Sequence, residues 1–398
     1  MTRAVHLNTL GLVCALGSGT REVADRLFAG DTSGIRILND AVVSGDGLPF
    51  GAVETELPRV PERLQRYTSR NFSLALAALQ QIDGEIKAAM ERFGAHRVAV
   101  VMGTSTSGIS EGERLLRSMR ASAADTLPRA FDFRQQEIGS VAESIAACYG
   151  LTAPAITVST ACSSGAKALA AGRRLIRQDL ADVVIAGGCD SRCTLTLNGF
   201  NALSALSRTG CRPFSVNRDG TVIGEGAAIF LMSRDAEGPV LAGVGESSDA
   251  HNITAPDPSG RGAIAAMRAA LVDAAITPGQ LSYVNLHGTA TTLNDAMESR
   301  ALTAVAGEVP CSSSKGQVGH TLGAAGAIEA AFCWLTLERN PERRLPPHVW
   351  DGAVDIDARL SGLVVDDQRL DQRASHWLMS NSYAFGGSNV ALILGTGS

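Results

Sequence analysis

Seven short apolar runs, most of them rich in β-branched residues, set the tightest limit on how this chain can fold. They are RVAVVMG (97–103), ITVST (156–160), DVVIAGG (182–188), AAIFLMS (227–233), YVNLHG (283–288), SHWLMS (375–380) and NVALILG (389–395). Between them lie longer stretches with helical patterning, among them SLALAALQQIDGEIKAAMERF (73–93), VAESIAACYG (141–150), GAIAAMRAALVDAA (262–275) and AAGAIEAAFCWLTLER (324–339). Runs of this length without strict alternation read as strands buried on both faces. Strands alternating with helices predict an α/β fold.

The pattern also repeats. ITVSTACSSGAKALAAGRRLI runs strand, small-residue turn, helix, and PCSSSKGQVGHTLGAAGAIEAAF follows the same order. VVMGTSTSG (100–108) pairs with NLHGTATT (285–292), and EGAAIFLMS with SNVALILGT. Two similar halves, 1–240 and 241–398, explain these pairs. A length of 398 residues, 45% of them apolar, suffices for two such units.

A net charge of −5 and few aromatics argue against nucleic acid as a partner. No run approaches the roughly 18–20 apolar residues of a membrane span. The N-terminal MTRAVHLNTLGLVCALGSG imitates a secretory leader, but Asn8 and Thr9 interrupt its apolar run, and a strand-to-helix turn accounts for it. The eight cysteines are scattered without a CxxC pair, as expected of small buried hydrophobes in a reducing cytoplasm. No Cys/His spacing suits a metal.

Cys162 stands apart. It follows the strand-like 155–158 and precedes a helical run, among Ala161, Ser163, Ser164 and Gly165. Free N–H groups at a helix start favour thiolate, and the small neighbours leave room for an incoming carbonyl. A buried structural thiol is the other reading of the same context. His287 ends YVNL and His320 lies in KGQVGHTLGAAG, each where a strand-like run gives way to a glycine turn. Ligands gather at the carboxyl ends of strands in such folds, although a lone histidine can equally be satisfied within a core.

Five segments then carry a family resemblance: TACSSGAKAL, RPFSVNRDGTVIGEGAA, HGTATTLND, SSSKGQVGHTLGAAGAIE and NSYAFGGSN. In this order they resemble the β-ketoacyl-acyl carrier protein synthases, condensing enzymes of the thiolase superfamily. The resemblance implies two thiolase-like halves stacked in five α-β-α-β-α layers. It implies that Cys162 takes an acyl group from a carrier protein, and that His287 and His320 hold the malonyl thioester carbonyl as carbon dioxide leaves. It further implies that Lys315 is an active-site lysine paired with Glu298, and that the N–H groups of Cys162 and Phe385 form the oxyanion hole, with Phe385 also a gate on glycine hinges. Thr289 and Thr291 would bind the pantetheine arm, and Asn294 and Asp295 would brace the turn. Arg212, Arg218, Asp219 and Glu225 would form an internal charge network. No metal or diffusible cofactor is implied, because phosphopantetheine arrives on the acidic acyl carrier protein, for which Arg63, Arg66 and Arg70 are candidate docking residues.

Departures from the family pattern narrow the subtype. Lys167 stands where elongating synthases commonly carry His, NLHGTAT replaces the more familiar EAHGT, and FDFRQQEIGS lacks the usual pocket signature. These features resemble ketosynthases of aryl-polyene or xanthomonadin-type clusters, in which either a homodimer or a heterodimer with an inactive chain-length subunit is expected. Two alternatives remain open. A thiolase would carry a second cysteine where NSYAFGGSN has none, and a non-catalytic chain-length partner would lack Cys162. On this reading, His320→Ala loses decarboxylation while keeping acyl transfer.

Overall fold

The computed structural model describes residues 4–39, 41–42, 45–123, 126–128 and 131–396. Ten strands build the frame: β1 (His6–Cys14), β2 (Val98–Gly103), β3 (Ala155–Val158), β4 (Val183–Asp190), β5 (Gly226–Ser233), β6 (Val240–Ser248), β7 (Leu281–Asn285), β8 (Cys311–Ser312), β9 (Trp377–Ala384) and β10 (Ser388–Gly395). They run in the order β8-β7-β9-β10-β6-β1-β5-β4-β2-β3. Only His6 and Val240 join β1 to β6, so the path divides there into two five-stranded sheets.

The halves match strand for strand. In the first, β2 is parallel to β3 and β4, while β4–β5 and β5–β1 are antiparallel. In the second, β7 is parallel to β8 and β9, while β9–β10 and β10–β6 are antiparallel. Each repeat seen in the sequence falls on an equivalent pair: β2 with β7, β3 with β8, and β5 with β10.

Side chains alternate across each sheet, and this creates the layers. Val98, Val100 and Met102 of β2 join an outer cluster with α1 (Arg70–Leu79) and α2 (Ser140–Tyr149). Ala99 and Val101 of the same strand face inward, with α3 (Ser164–Arg177) and α6 (Ala325–Glu338). In the second sheet, Leu392 and Leu394 face this central layer. Ala391 and Ile393 instead meet α4 (Arg261–Ala274) and α5 (Thr292–Ala306) on the far side. The result is the five-layered α-β-α-β-α thiolase fold. Each large aliphatic side chain buried in these clusters contributes roughly 1.5–3 kcal/mol.

The central helices meet at their first turns without intervening side chains. A Cβ placed on Gly326 would lie 2.7 Å from the Cβ of Ala166, and one on Gly165 would lie 2.8 Å from the nitrogen of Ala327. Every residue of α6 from Ala325 to Thr336 is buried, which explains its nearly uniform apolarity.

The N-terminal segment runs strand, turn and helix as expected: β1 ends at Cys14 and a helix, Thr20–Phe28, follows. The long helix expected over 73–93 is broken by a 3₁₀ turn at Gln80–Ile82 into α1 and a second helix, Asp83–Phe93. Strand β6 has no counterpart among the sequence expectations, because Gly243 and Gly245 interrupt its apolar run. Among the described residues, no helix is long and apolar enough to cross a membrane.

Candidate active site

The loops after β3, β7 and the short helix Lys315–Val318 converge on one cavity of about 290 Å³. Cys162, His287 and His320 all line it, together with Thr289, Thr291 and Phe385. Cys162 sits just before α3, and the preceding Ala161 takes a positive φ of 51°, which turns the chain sharply. The thiol is buried at 7% exposure, and His320 Nε2 lies 3.0 Å from its sulfur. The His287 and His320 rings meet edge to face at 5.3 Å between centroids.

Burial dominates the electrostatics here. It pushes the Cys162 thiol up to about 12, with the Lys315 charge and the Phe385 N–H directed at the sulfur acting against it. The resting group is therefore the thiol, and the thiolate expected from the helix start is outweighed by desolvation. Burial, and then the Lys315 charge, hold both His287 and His320 well below the usual histidine range, so both imidazoles are neutral. A thiol facing a neutral Nε2 at 3.0 Å has a proton acceptor in place. His287 makes no such contact with the sulfur. His320 therefore stands against the thiol as well as the cavity, which argues against the expectation that acyl transfer survives its loss.

Lys315 is fully buried. Its ammonium donates to the His287 carbonyl oxygen and to Glu329 Oε1, and lies 3.5 Å from His287 Nδ1. An ammonium has no lone pair, so Nδ1 must accept there, which leaves Nε2–H as the donor of His287. The expected pairing of Lys315 with Glu298 is incorrect. Both Glu298 oxygens are already engaged, accepting from the His287 N–H at 2.8 Å and the Gly288 N–H at 2.7 Å. Glu298 therefore holds the backbone of the histidine turn, and the counter-ion of Lys315 comes from α6. Burial raises the Glu329 carboxyl to about 7, and the ammonium opposes this shift.

Lys315→Met should destabilise the protein by about 3–5 kcal/mol, because it leaves Glu329 buried and unpaired. Lys315→Met with Glu329→Leu should recover most of that loss. Urea unfolding measures both, and a single variant as stable as the parent would refute the pairing.

Thr289 and Thr291 face each other at 3.0 Å between hydroxyls. Asn294 donates to Asp295 at 3.3 Å, and Asp295 in turn accepts from the Phe214 N–H at 2.8 Å, a bracing arrangement. Phe385 stacks on Phe200 at 5.4 Å, and the following Gly386 and Gly387 have φ of 81° and 74°, which favours glycine. Two residues the sequence reading passes over also shape the site. Buried Asp190 accepts from Ser105 Oγ and from the Gly323 N–H, both at 2.6 Å, and so ties the turn after His320 to the end of β2. Phe200 supplies the stacking partner of Phe385.

The remaining sequence assignments separate. Arg70 is committed to Glu225, with Nε 2.8 Å from Oε2, and is not a free docking cation. Arg63 donates to the carbonyls of Ala147 and Cys148, while Arg66 lies over the Tyr67 ring. The expected four-residue charge network does not form. Arg218 bonds Asp355 and stands 3.8 Å from Asp295, while Arg212 and Asp219 meet only through the Thr209 hydroxyl.

Comparison with known proteins supplies the family. Residues 50–238 match the family described as Beta-ketoacyl synthase, N-terminal domain, and residues 239–349 match Beta-ketoacyl synthase, C-terminal domain. The chain belongs to the beta-ketoacyl synthase family. This synthase is 32% identical to Nodulation protein E of Rhizobium leguminosarum bv. trifolii, over 98% of its own length and 99% of the relative's. It is 31% identical to 3-oxoacyl-[acyl-carrier-protein] synthase 2 of Rhizobium meliloti (strain 1021), over 98% of each chain. Among solved structures, it resembles the ketosynthase ApeO in complex with its chain length factor ApeC from Xenorhabdus doucetiae. That match has a TM-score of 0.94 and 41% identity, covering 99% of this chain and 98% of the other. The ketosynthase reading thus stands over the thiolase and non-catalytic alternatives, and the synthase is an acyltransferase-type condensing enzyme.

Proposed function

We propose that this synthase condenses malonyl-acyl carrier protein with an acyl chain held on Cys162, within an aryl-polyene-type pathway. The 3.0 Å contact between Cys162 Sγ and His320 Nε2, in a cavity shared with His287, carries the reading. In the first half-reaction the Cys162 sulfur attacks the acyl thioester carbonyl, with the Phe385 and Cys162 N–H groups stabilising the oxyanion. The acyl–sulfur bond to phosphopantetheine breaks, the thiol proton moves to His320 Nε2, which thereby becomes a donor, and the departing pantetheine sulfur takes a proton from solvent. The second half-reaction begins when the malonyl thioester carbonyl meets the two imidazoles. The bond to the carboxylate breaks, carbon dioxide leaves, and its electron pair becomes an enolate held by N–H donors. The enolate carbon attacks the acyl-cysteine, a carbon–carbon bond forms, and the Cys162 sulfur leaves and takes back the proton held on His320 Nε2.

On this reading Thr289 and Thr291 hold the pantetheine arm, and no metal or diffusible cofactor takes part. Arg63 and Arg66 remain the docking candidates for an acidic carrier protein. The pairing surface is strand β3, an unpaired sheet edge on which Ile156 is 41% exposed, with Phe133 at 57% and Ile138 at 45%. An open apolar edge of this kind suits a second synthase chain or a chain-length-factor-like subunit. The reading places the enzyme in the cytoplasm, where its free cysteines stay reduced.

Incubation with a cysteine-directed condensing-enzyme inhibitor such as cerulenin should yield one adduct, located on Cys162 by peptide mass spectrometry. Modification of another cysteine, with Cys162 untouched, would contradict the assignment.

A further inference from the structure

The strand that delivers Phe385 to the cavity also brings a second aromatic side chain that the mechanism above does not use. Tyr383, near the end of β9, is 6% exposed and lines the cavity. Its ring meets the His287 ring edge-on, at 5.9 Å between centroids and 75° between planes. Its hydroxyl is buried and, among the described residues, has no hydrogen-bond partner. A buried polar group without a partner costs roughly 1–3 kcal/mol, so its presence against a substrate cavity needs an explanation.

We propose that the Tyr383 hydroxyl positions the extender unit, donating a hydrogen bond to the malonyl carboxylate beside His287. Three considerations select this acceptor. The thioester carbonyl already has the two imidazoles, which leaves the carboxylate as the unserved acceptor on the same small group. The phenol is a donor at any working pH, because burial, reinforced by the charges of Glu298 and Asp249, pushes it well above the usual tyrosine range. A neutral O–H donating to a carboxylate is also a stronger bond than one between neutral groups. This inference rests on the condensing reaction proposed above and assigns Tyr383 a place within it.

The bond is present in the bound malonyl group and is still largely made as the carbon–carbon bond begins to break, so it contributes to binding rather than to the chemical step. Tyr383→Phe should therefore raise KM for malonyl-pantetheine about tenfold, with kcat for carbon dioxide release held within about threefold. The rate of cerulenin addition to Cys162 should not change. Because the hydroxyl has no partner to lose in the resting protein, the variant should be at least as stable to urea as the parent. An unchanged KM, a fall in kcat at constant KM, slower modification of Cys162, or a less stable variant would each overturn the proposal. A parent enzyme that releases no carbon dioxide from malonyl-pantetheine would overturn the condensing reaction and this assignment together. A parent that does, with Tyr383→Phe indistinguishable from it, would overturn only the latter.

Discussion

Cys162→Ala should abolish condensation, a loss on the order of 10⁴-fold or more, while malonyl decarboxylation continues. The split follows from the division of labour in the cavity. Acyl transfer needs a sulfur to hold the acyl group. Carbon dioxide loss needs donors at the thioester oxygen, and removal of one sulfur atom leaves both imidazoles lining the cavity. Alanine also fits, since the surrounding turn is built of small residues and the side chain is already buried. The measurement pairs labelled carbon dioxide release with product analysis by mass spectrometry. Condensation product from the variant would remove Cys162 from the mechanism. Loss of both reactions together would show that the sulfur also organises the malonyl site.

The two histidines should separate in a way that sequence alone does not anticipate. His287→Ala should lower malonyl decarboxylation by about 10²–10³-fold, the usual loss for one oxyanion donor, and leave acylation of Cys162 close to normal. His320→Ala should impair both half-reactions. Only His320 touches the sulfur, at 3.0 Å, and the thiol it faces is held up to about 12 by burial. Single-turnover acylation and carbon dioxide release, measured on both variants, resolve the pattern. Equal acylation rates in the two would show that the thiol loses its proton by another route.

Much of this architecture is legible in the chain itself, because local pattern and global fold agree. Buried strands announce themselves as apolar runs, and the duplicated halves repeat one order of strand, turn and helix. Cys162 and His287 are conspicuous for the same reason, each a reactive side chain after a strand-like run among glycine, serine and threonine, whereas His320 follows the short helix Lys315–Val318 and is marked by its glycine turn. Pairings across the fold are less accessible. Glu298 and Glu329 both lie on helices within reach of the lysine in sequence, and only the tertiary arrangement decides between them. A lone acid in the wholly apolar GAIEAAF was a usable signal for Glu329. Asp190 has no comparable signal, since its partners at Ser105 and Gly323 lie on distant segments. Arg70 looked like a free surface cation, and only the fold brings Glu225 against it.

The glycine contact between α3 and α6 has a consequence for how the reaction tolerates change. Cys162 lies immediately before one of these helices and His320 a few residues before the other. Sulfur and imidazole are thus registered against each other by main chain rather than by adjustable side chains. A methyl group added at Gly326 would wedge the two helix starts apart, widening the gap across which the proton must pass. Turnover would then fail in a molecule that still holds its shape.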